Sequence, residues 1–183
     1  KWRKSVHAPL RSAPRAADGK LFVVTLDNQL LALNAADGEL LWTHRGITES
    51  AGIMNAVSPS VAGGVVLAPY SSGEIYALNL ADGKEVWSYA LSSGKGGSAS
   101  ALLSGISGDP VVDKEVVISV SSGGSVAVNA LATGQRSWER PIGSLNAPWL
   151  AGDSLFMITT SNQVVCFLKF DGHIRWVTPL PRF

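Results

Sequence analysis

The apolar positions of this chain fall in short segments separated by glycine-containing turns. One segment runs from Val65 to Ser71, a turn follows at Ser72-Gly73, and the next segment runs from Glu74 to Leu80. Asp82-Gly83 then precedes a segment from Lys84 to Ala90, and an Asp-Gly pair between apolar runs is a strong hairpin signal. No segment shows a convincing 3.6-residue apolar period. The pattern predicts short antiparallel strands and almost no helix.

A glycine and tryptophan signature repeats along the chain. Four times a glycine is followed four residues later by a tryptophan, in the pairs Gly38 and Trp42, Gly83 and Trp87, Gly134 and Trp138, and Gly172 and Trp176. Successive tryptophans of these pairs are 45, 51 and 38 residues apart, and Trp2 lies 40 residues before the first of them. Four-stranded units at this period are typical of β-propeller blades. The sequence therefore predicts an all-β propeller.

The tryptophan of each repeat is expected to dock one blade on the next. Its ring, on the outermost strand, can pack against a glycine backbone and a small residue of the neighbouring blade. The small residue is expected six positions before the turn glycine, at Ala32, Ala77 and Cys166. Val128 holds that position in the third repeat, with Ala127 one place early. The third repeat is therefore expected either to carry a one-residue bulge or to dock more loosely.

The repeat bounds predict a single partial propeller over residues 1–183. Its blades are expected at about residues 11–45, 55–90, 106–140 and 145–178, and residues 1–6 are expected to form the orphan outer strand of an earlier repeat. Closing a ring by strand exchange would require a blade that lacks a strand, and none of the four does. Propellers usually have four to eight blades. We therefore expect about half of an eight-bladed ring, whose exposed end blades either pair with another copy or fray.

Composition and charge narrow the function classes. The chain has 183 residues, 46% of them hydrophobic and 16% charged, which suffices for one domain with a core. A formal net charge of +1 gives no field that favours nucleic acid or an acidic membrane. No apolar run reaches the roughly 18 residues that span a bilayer. The single cysteine, Cys166, cannot form an internal disulfide and is interpreted as a small buried core residue.

The segment Ala32 to Trp42, Ala-Leu-Asn-Ala-Ala-Asp-Gly-Glu-Leu-Leu-Trp, resembles the PQQ-like propeller repeat. That repeat serves quinoprotein enzymes and non-enzymatic scaffolds alike. Residues 143–146 (Gly-Ser-Leu-Asn), residues 152–155 (Gly-Asp-Ser-Leu) and the long insertion between the second and third blades resemble the BamB family of outer-membrane β-barrel assembly lipoproteins. This resemblance implies a non-catalytic, periplasmic, outer-membrane-associated scaffold without a cofactor. Its implied partners are the periplasmic repeat domains (POTRA domains) of the barrel-forming subunit.

The alternative is a PQQ-dependent quinoprotein dehydrogenase whose cofactor site lies outside this part of the ring. The alcohol dehydrogenases with this repeat place adjacent cysteines against the quinone and Ca²⁺ beside a catalytic aspartate, and a single cysteine cannot form that pair. The acidic residues lie mostly at turns, where they bond their own backbone. His7, His44 and His173 fall in different parts of the chain. We therefore expect no catalytic, cofactor-binding or metal-binding residue.

Two connectors are longer than blade geometry requires, and long loops are where function concentrates. They run from Gly46 to Val57 and from Ser92 to Gly108. Both join an outer strand to the next inner strand, so they should share one face. In the resembling family such loops hold the partner, the first with apolar and basic residues and the second with acids. The expected partner contacts here are Ile53, Met54, Asn55, Ile106 and Asp109; the alternative is that Ile53 and Met54 tuck under their loop.

Trp149 lies outside the blade register, on an inner strand near the expected central channel. The preferred interpretation is packing between blades, and stacking on a flat ligand is the alternative. A third class of function, sugar or peptide binding in the channel, would need polar and aromatic side chains that converge there.

Overall fold

Four antiparallel sheets of four strands each make up the computed structural model, which describes residues 1–47, 57–92 and 105–181. The first sheet contains β1 (Arg15–Ala17), β2 (Lys20–Val24), β3 (Gln29–Asn34) and β4 (Leu40–Arg45). The second contains β5 (Ser60–Ala62), β6 (Val65–Pro69), β7 (Glu74–Asn79) and β8 (Glu85–Ala90). The third contains β9 (Val111–Asp113), β10 (Val116–Val120), β11 (Val126–Ala130) and β12 (Arg136–Arg140). The fourth contains β13 (Trp149–Ala151), β14 (Ser154–Ile158), β15 (Gln163–Leu168) and β16 (Ile174–Pro179).

Within each sheet the strands lie side by side in chain order. The predicted all-β architecture of four-stranded units is thus confirmed, and no helix occurs in the described ranges. Within those ranges, accordingly, no helix has the length and apolar character needed to cross a membrane.

The turn between the third and fourth strands has the same construction in every sheet. Its glycine has a positive φ of 66° to 78°, a conformation that a side chain disfavours. The side chain before the glycine accepts a hydrogen bond from the backbone N–H after it, at Asp37, Asp82, Thr133 and Asp171. The conformation of these turns is therefore determined by residues within the turn itself.

Each of the first three sheets docks on the following sheet through a tryptophan that lies against the turn glycine of that following sheet. A Cβ atom on Gly134 would be 2.6 Å from the ring of Trp87, and the indole Nε1 of Trp87 donates to the carbonyl of Leu131 at 2.7 Å. Trp2, Trp42 and Trp138 repeat the arrangement against Gly38, Gly83 and Gly172, and each indole donates to the carbonyl three residues before the glycine. The approach leaves no room for a side chain, which explains the invariant glycine of the repeat.

The third repeat does not depart from the other three. A register shift in the outer strand pair occurs in all four sheets, at the residue after Ala32, Ala77, Val128 or Cys166. Each of these residues pairs with the tryptophan of its own sheet, including Val128 with Trp138. The third repeat therefore carries the bulge that was one of its two expected outcomes, although the bulge is a property of every repeat. The other outcome, looser docking, does not occur, since Trp87 lies against Gly134 of the third sheet and is 6% exposed. Cys166 is buried, as interpreted.

Residues 1–6 do not form the expected outer strand. A strand requires a neighbouring strand to share its backbone hydrogen bonds, and these residues pair with none in the described chain. Their side chains nevertheless occupy an outer-strand position, since Trp2 docks on Gly38 and Val6 packs against Val23 and Leu31.

The connector face as candidate functional site

The connectors between sheets and the turns between second and third strands lie at one end of the sheets. This follows from the antiparallel chain order, because every outer strand ends where the next inner strand must begin. We call this end the connector face. The described parts of both long connectors, up to Ile47 and Ser92 and from Gly105 onward, belong to it.

Hydrogen bonds from Asn28 hold the start of the first long connector in place. This residue is buried and has a φ of 56°, which asparagine tolerates better than most residues. Its side-chain Nδ2 donates to the carbonyl of Ile47 and to Ser71 Oγ, both at 2.8 Å, and its backbone carbonyl accepts from the N–H of Gly46 at 2.9 Å. One side chain thereby joins the first connector to the turns of two sheets.

The end of the second connector is bonded to the turns on both of its sides. Ile106 N–H donates to the carbonyl of Tyr70, and Ser122 N–H donates to the carbonyl of Gly105. A Cβ on Gly105 would be 2.7 Å from the carbonyl oxygen of Ser71, so this glycine permits a close backbone approach. The connector is therefore held between the second and third sheets.

Glu139 fixes the start of the same connector. Its carboxylate accepts from Ser92 N–H at 2.9 Å, from the Tyr89 hydroxyl at 2.8 Å and from Arg136 Nη1 at 2.8 Å. Burial alone would raise the pKa of Glu139, but these hydrogen bonds outweigh it and lower the pKa below its ordinary value. An open groove of about 970 Å³ runs along β12 past this carboxylate to Pro141.

The predicted contact residues differ in where they lie in the structure. Ile53, Met54 and Asn55 lie outside the described residues. Ile106 is 1% exposed and packs with Val57 and Leu91, so its side chain faces the core instead of a partner. The apolar packing of Ile106 could not be predicted from the glycine and serine residues that flank it in the sequence.

Asp109 lies near the inner strands, where its carboxylate joins the third sheet to residues of the first and second sheets. Its Oδ1 accepts from Ser58 N–H at 2.6 Å, and its Oδ2 lies 3.5 Å from Arg15 Nη2. The Nε atom of Arg15 in turn donates to the carbonyl of Pro59 at 3.2 Å. The carboxylate is thus occupied within the chain, although its side chain remains 38% exposed.

Two exposed apolar residues on the connector face were not expected from the sequence. Ile47 is 56% exposed at the start of the first connector, and Leu145 is 57% exposed in the connector between the third and fourth sheets. Trp149 is 74% exposed among the described residues, so its packing between blades stays a prediction. Its neighbours across the sheet place it on the free face of the fourth sheet, which no described strand covers.

The described residues bring together no group of three or more histidine, cysteine, aspartate or glutamate side chains that could hold a metal ion. His44 contacts Tyr70 instead, with 2.8 Å between Nδ1 and the hydroxyl. Burial lowers the pKa of His44. The histidine is therefore part of an aromatic packing cluster with Tyr70 and Tyr76.

A family model described as outer membrane protein assembly factor BamB matches residues 1–178. The chain belongs to the BamB family. The BamB of Yersinia pestis is 27% identical over 173 residues, which cover 94% of this chain and 44% of that protein. The BamB of Nitrosomonas eutropha is 26% identical over 143 residues, which cover 78% of this chain and 35% of that protein. The chain thus spans less than half the length of these curated relatives.

Solved structures share the fold. BamB from Moraxella catarrhalis superposes with a TM-score of 0.90 at 20% identity, over 100% of this chain and 55% of that one. A quinohemoprotein alcohol dehydrogenase from Comamonas testosteroni superposes with a TM-score of 0.75 at 17% identity, over 94% of this chain and 35% of that one. Both likenesses show the propeller fold, which BamB and quinoprotein enzymes have in common.

Proposed function

We propose that this chain is a non-catalytic scaffold of the outer-membrane β-barrel assembly machinery that binds POTRA domains in the periplasm. The observation that carries the proposal is the family match over residues 1–178. The curated relatives are named as assembly factors, whereas the dehydrogenase likeness extends to the fold alone. Within residues 1–183 the single cysteine cannot form the adjacent cysteine pair of the quinoprotein alcohol dehydrogenases.

The connector face is the surface that suits a protein partner. The turns and the described ends of the connectors are joined by backbone and side-chain hydrogen bonds, so these parts of the face gain little order on binding. Ile47 and Leu145 present exposed apolar side chains there, and such residues anchor interfaces when a partner covers them. Ile53, Met54 and Asn55, in the first long connector, remain predicted contacts, and so does Asp109. Ile106 is not carried forward, because it is buried.

Isothermal titration calorimetry with the POTRA domains of the barrel-forming subunit from the same organism tests the function. We expect saturable binding to the POTRA domains and none to PQQ with Ca²⁺ under the same conditions. Binding of PQQ without binding of the POTRA domains would instead establish the dehydrogenase alternative.

Variants locate the surface. Ile47→Asp combined with Leu145→Asp should weaken POTRA binding about 30-fold or more, the usual effect of losing an interface anchor. Phe170→Asp is the matched control, because Phe170 is 66% exposed but lies in a turn at the opposite end of its sheet. Equal affinities for both variants would show that the partner does not bind the connector face.

A further inference from the structure

Two adjoining cavities flank β12, the outermost strand of the third sheet. A groove of about 970 Å³ runs along the strand from Arg136 to Pro141. A second pocket, of about 370 Å³, opens between the third and fourth sheets. Gly124 and Pro141 line both cavities, so the groove and the pocket adjoin. Neither Ile47 nor Leu145, the proposed anchors of the POTRA contact, lines them.

The gap between the first and second sheets shows how this part of a repeat is filled elsewhere. His44, on the outer strand of the first sheet, lies against Tyr70 and Tyr76 of the second sheet, with ring centroids 5.9 and 4.7 Å away. Tyr70 is completely buried. Protein interiors leave few voids larger than a water molecule, and here three aromatic rings occupy the space between neighbouring sheets.

The gap between the third and fourth sheets has other side chains at the three ring positions. Counted from the docking tryptophans and from the turn before the third strand, these positions are held by Arg140, Thr159 and Val165. Thr159 and Val165 are smaller than tyrosine, and both line the pocket together with Ile142 and Val177. The pocket therefore has an apolar wall and room for one apolar side chain of a ligand, whose burial would favour binding.

Arg140 supplies a fixed positive charge beside the pocket. Its Nε and Nη2 donate to the carbonyls of Gly172 and Asp171, both at 3.1 Å, and its Nη1 donates to the carbonyl of Glu139 at 3.3 Å. A guanidinium has five N–H donors, so these three bonds leave donors for a ligand. No carboxylate of the described residues forms an ion pair with Arg140. A ligand carboxylate would therefore meet a cation that is already held in place.

The groove has the form that an extended polypeptide requires. β12 lies at the edge of its sheet, so its outward N–H and C=O groups pair with no other described strand. An extended peptide can continue a sheet at such an edge, and its side chains then alternate between the two faces. Side chains two residues apart lie on one face, roughly 7 Å from each other. A peptide carboxylate at Arg140 thus places the side chain two positions away at the pocket.

We propose that the groove along β12 and the adjoining pocket bind an extended polypeptide segment that has an acidic and an apolar residue two positions apart. The carboxylate binds the guanidinium of Arg140, and the apolar side chain enters the pocket beside Pro141, Val165 and Val177. This site lies along the outer edge of the third sheet, whereas POTRA binding is assigned to Ile47 and Leu145 on the connector face. The two proposals therefore stand or fall separately.

Fluorescence anisotropy with labelled peptides and the intact protein tests the site. The probes are the blocked heptapeptide Thr-Thr-Asp-Thr-Leu-Thr-Thr and the peptide of reversed sequence, because strands of either direction can extend a sheet. We expect saturable binding of at least one probe, and weaker binding as the salt concentration rises. Replacement of the probe's Asp by Asn, or of its Leu by Ser, should weaken binding about tenfold or more.

Variants of the protein locate the contact. Arg140→Gln should weaken binding of the Asp probe about tenfold or more, and it should leave the weaker binding of the Asn probe unchanged, since the partner charge is already absent. Val165→Tyr should weaken binding by a similar factor, because it places in the pocket the ring that Tyr76 contributes to the second sheet. Arg45→Gln, the same change on the outer strand of the first sheet, is the matched control and should bind like the wild type.

Two further measurements accompany each variant. Circular dichroism checks that the strands are kept, and titration with the POTRA domains should give the wild-type affinity for Arg140→Gln and Val165→Tyr. Binding of neither probe by the wild-type protein would overturn the proposal. So would an Arg140→Gln or Val165→Tyr variant that binds the Asp probe as well as Arg45→Gln does.

Discussion

Replacement of a single turn glycine measures how strongly a tryptophan docks on the next sheet. In Gly134→Ala the new methyl group would lie 2.6 Å from the ring of Trp87, and the backbone there has a φ of 70°. A positive φ costs alanine roughly 1–2 kcal/mol, and overpacking a well-filled contact costs about 1–3 kcal/mol. The free energy of unfolding should therefore fall by about 2–5 kcal/mol.

Gly19→Ala separates the two contributions. Gly19 has the same φ of 70°, but nothing lies within 4 Å of its added Cβ. Only the backbone cost of roughly 1–2 kcal/mol should remain. Urea unfolding followed by far-ultraviolet circular dichroism measures both variants, and the comparison holds if their m-values agree.

A double-mutant cycle with Trp87→Ala completes the design, because the cost of Gly134→Ala should drop to that of Gly19→Ala once the ring is gone. If Gly134→Ala costs no more than Gly19→Ala in the chain that retains Trp87, the docking argument is wrong.

Two further predictions concern buried charge. Asp113→Asn should lower the free energy of unfolding by about 2–3 kcal/mol in urea titrations, because it removes the carboxylate 2.5 Å from the ammonium of Lys169, a side chain only 6% exposed. Asp82→Asn, in an exposed ion pair, is the control and should change the free energy of unfolding little. Equal effects of the two variants would contradict this reasoning. Glu139→Gln should flatten the fall in the free energy of unfolding at acid pH. The lowered pKa of Glu139 stabilises the fold at pH values above the ordinary pKa of 4.5, and this contribution is lost as the pH falls through the lower pKa of the folded state. Parallel curves of stability against pH for variant and wild type between pH 6 and pH 3 would refute this prediction.

The turns and the docking tryptophans could be predicted because their chemistry is local and repeats. Asp82, Gly83 and Trp87 lie within six residues of one another, and each has a role that its residue type implies. Four occurrences of one pattern were then enough to predict the architecture. The bulge that all four sheets share became visible only in the strand pairing of the structure.

The connector face was harder to predict, since contacts between sheets determine it. Ile106 is flanked by glycine and serine, which suggests an exposed loop, yet it packs in a core formed by residues distant in sequence. Asp109 suggested a partner contact, and its bonds to Ser58 and Arg15 join three blades. Ile47 and Leu145 have no periodic pattern that would mark them as exposed.

Hydrogen–deuterium exchange of the chain with and without the POTRA domains tests most directly whether this BamB-family chain is a scaffold that binds through its connector face. We expect slower exchange on binding at Ile47, at Leu91 and over residues 105–108, whose N–H groups lie on that face. The turns at Gly38, Gly83, Gly134 and Gly172, at the opposite end, should exchange as before. Protection confined to those turns, or no protection at saturating POTRA concentrations, would contradict it.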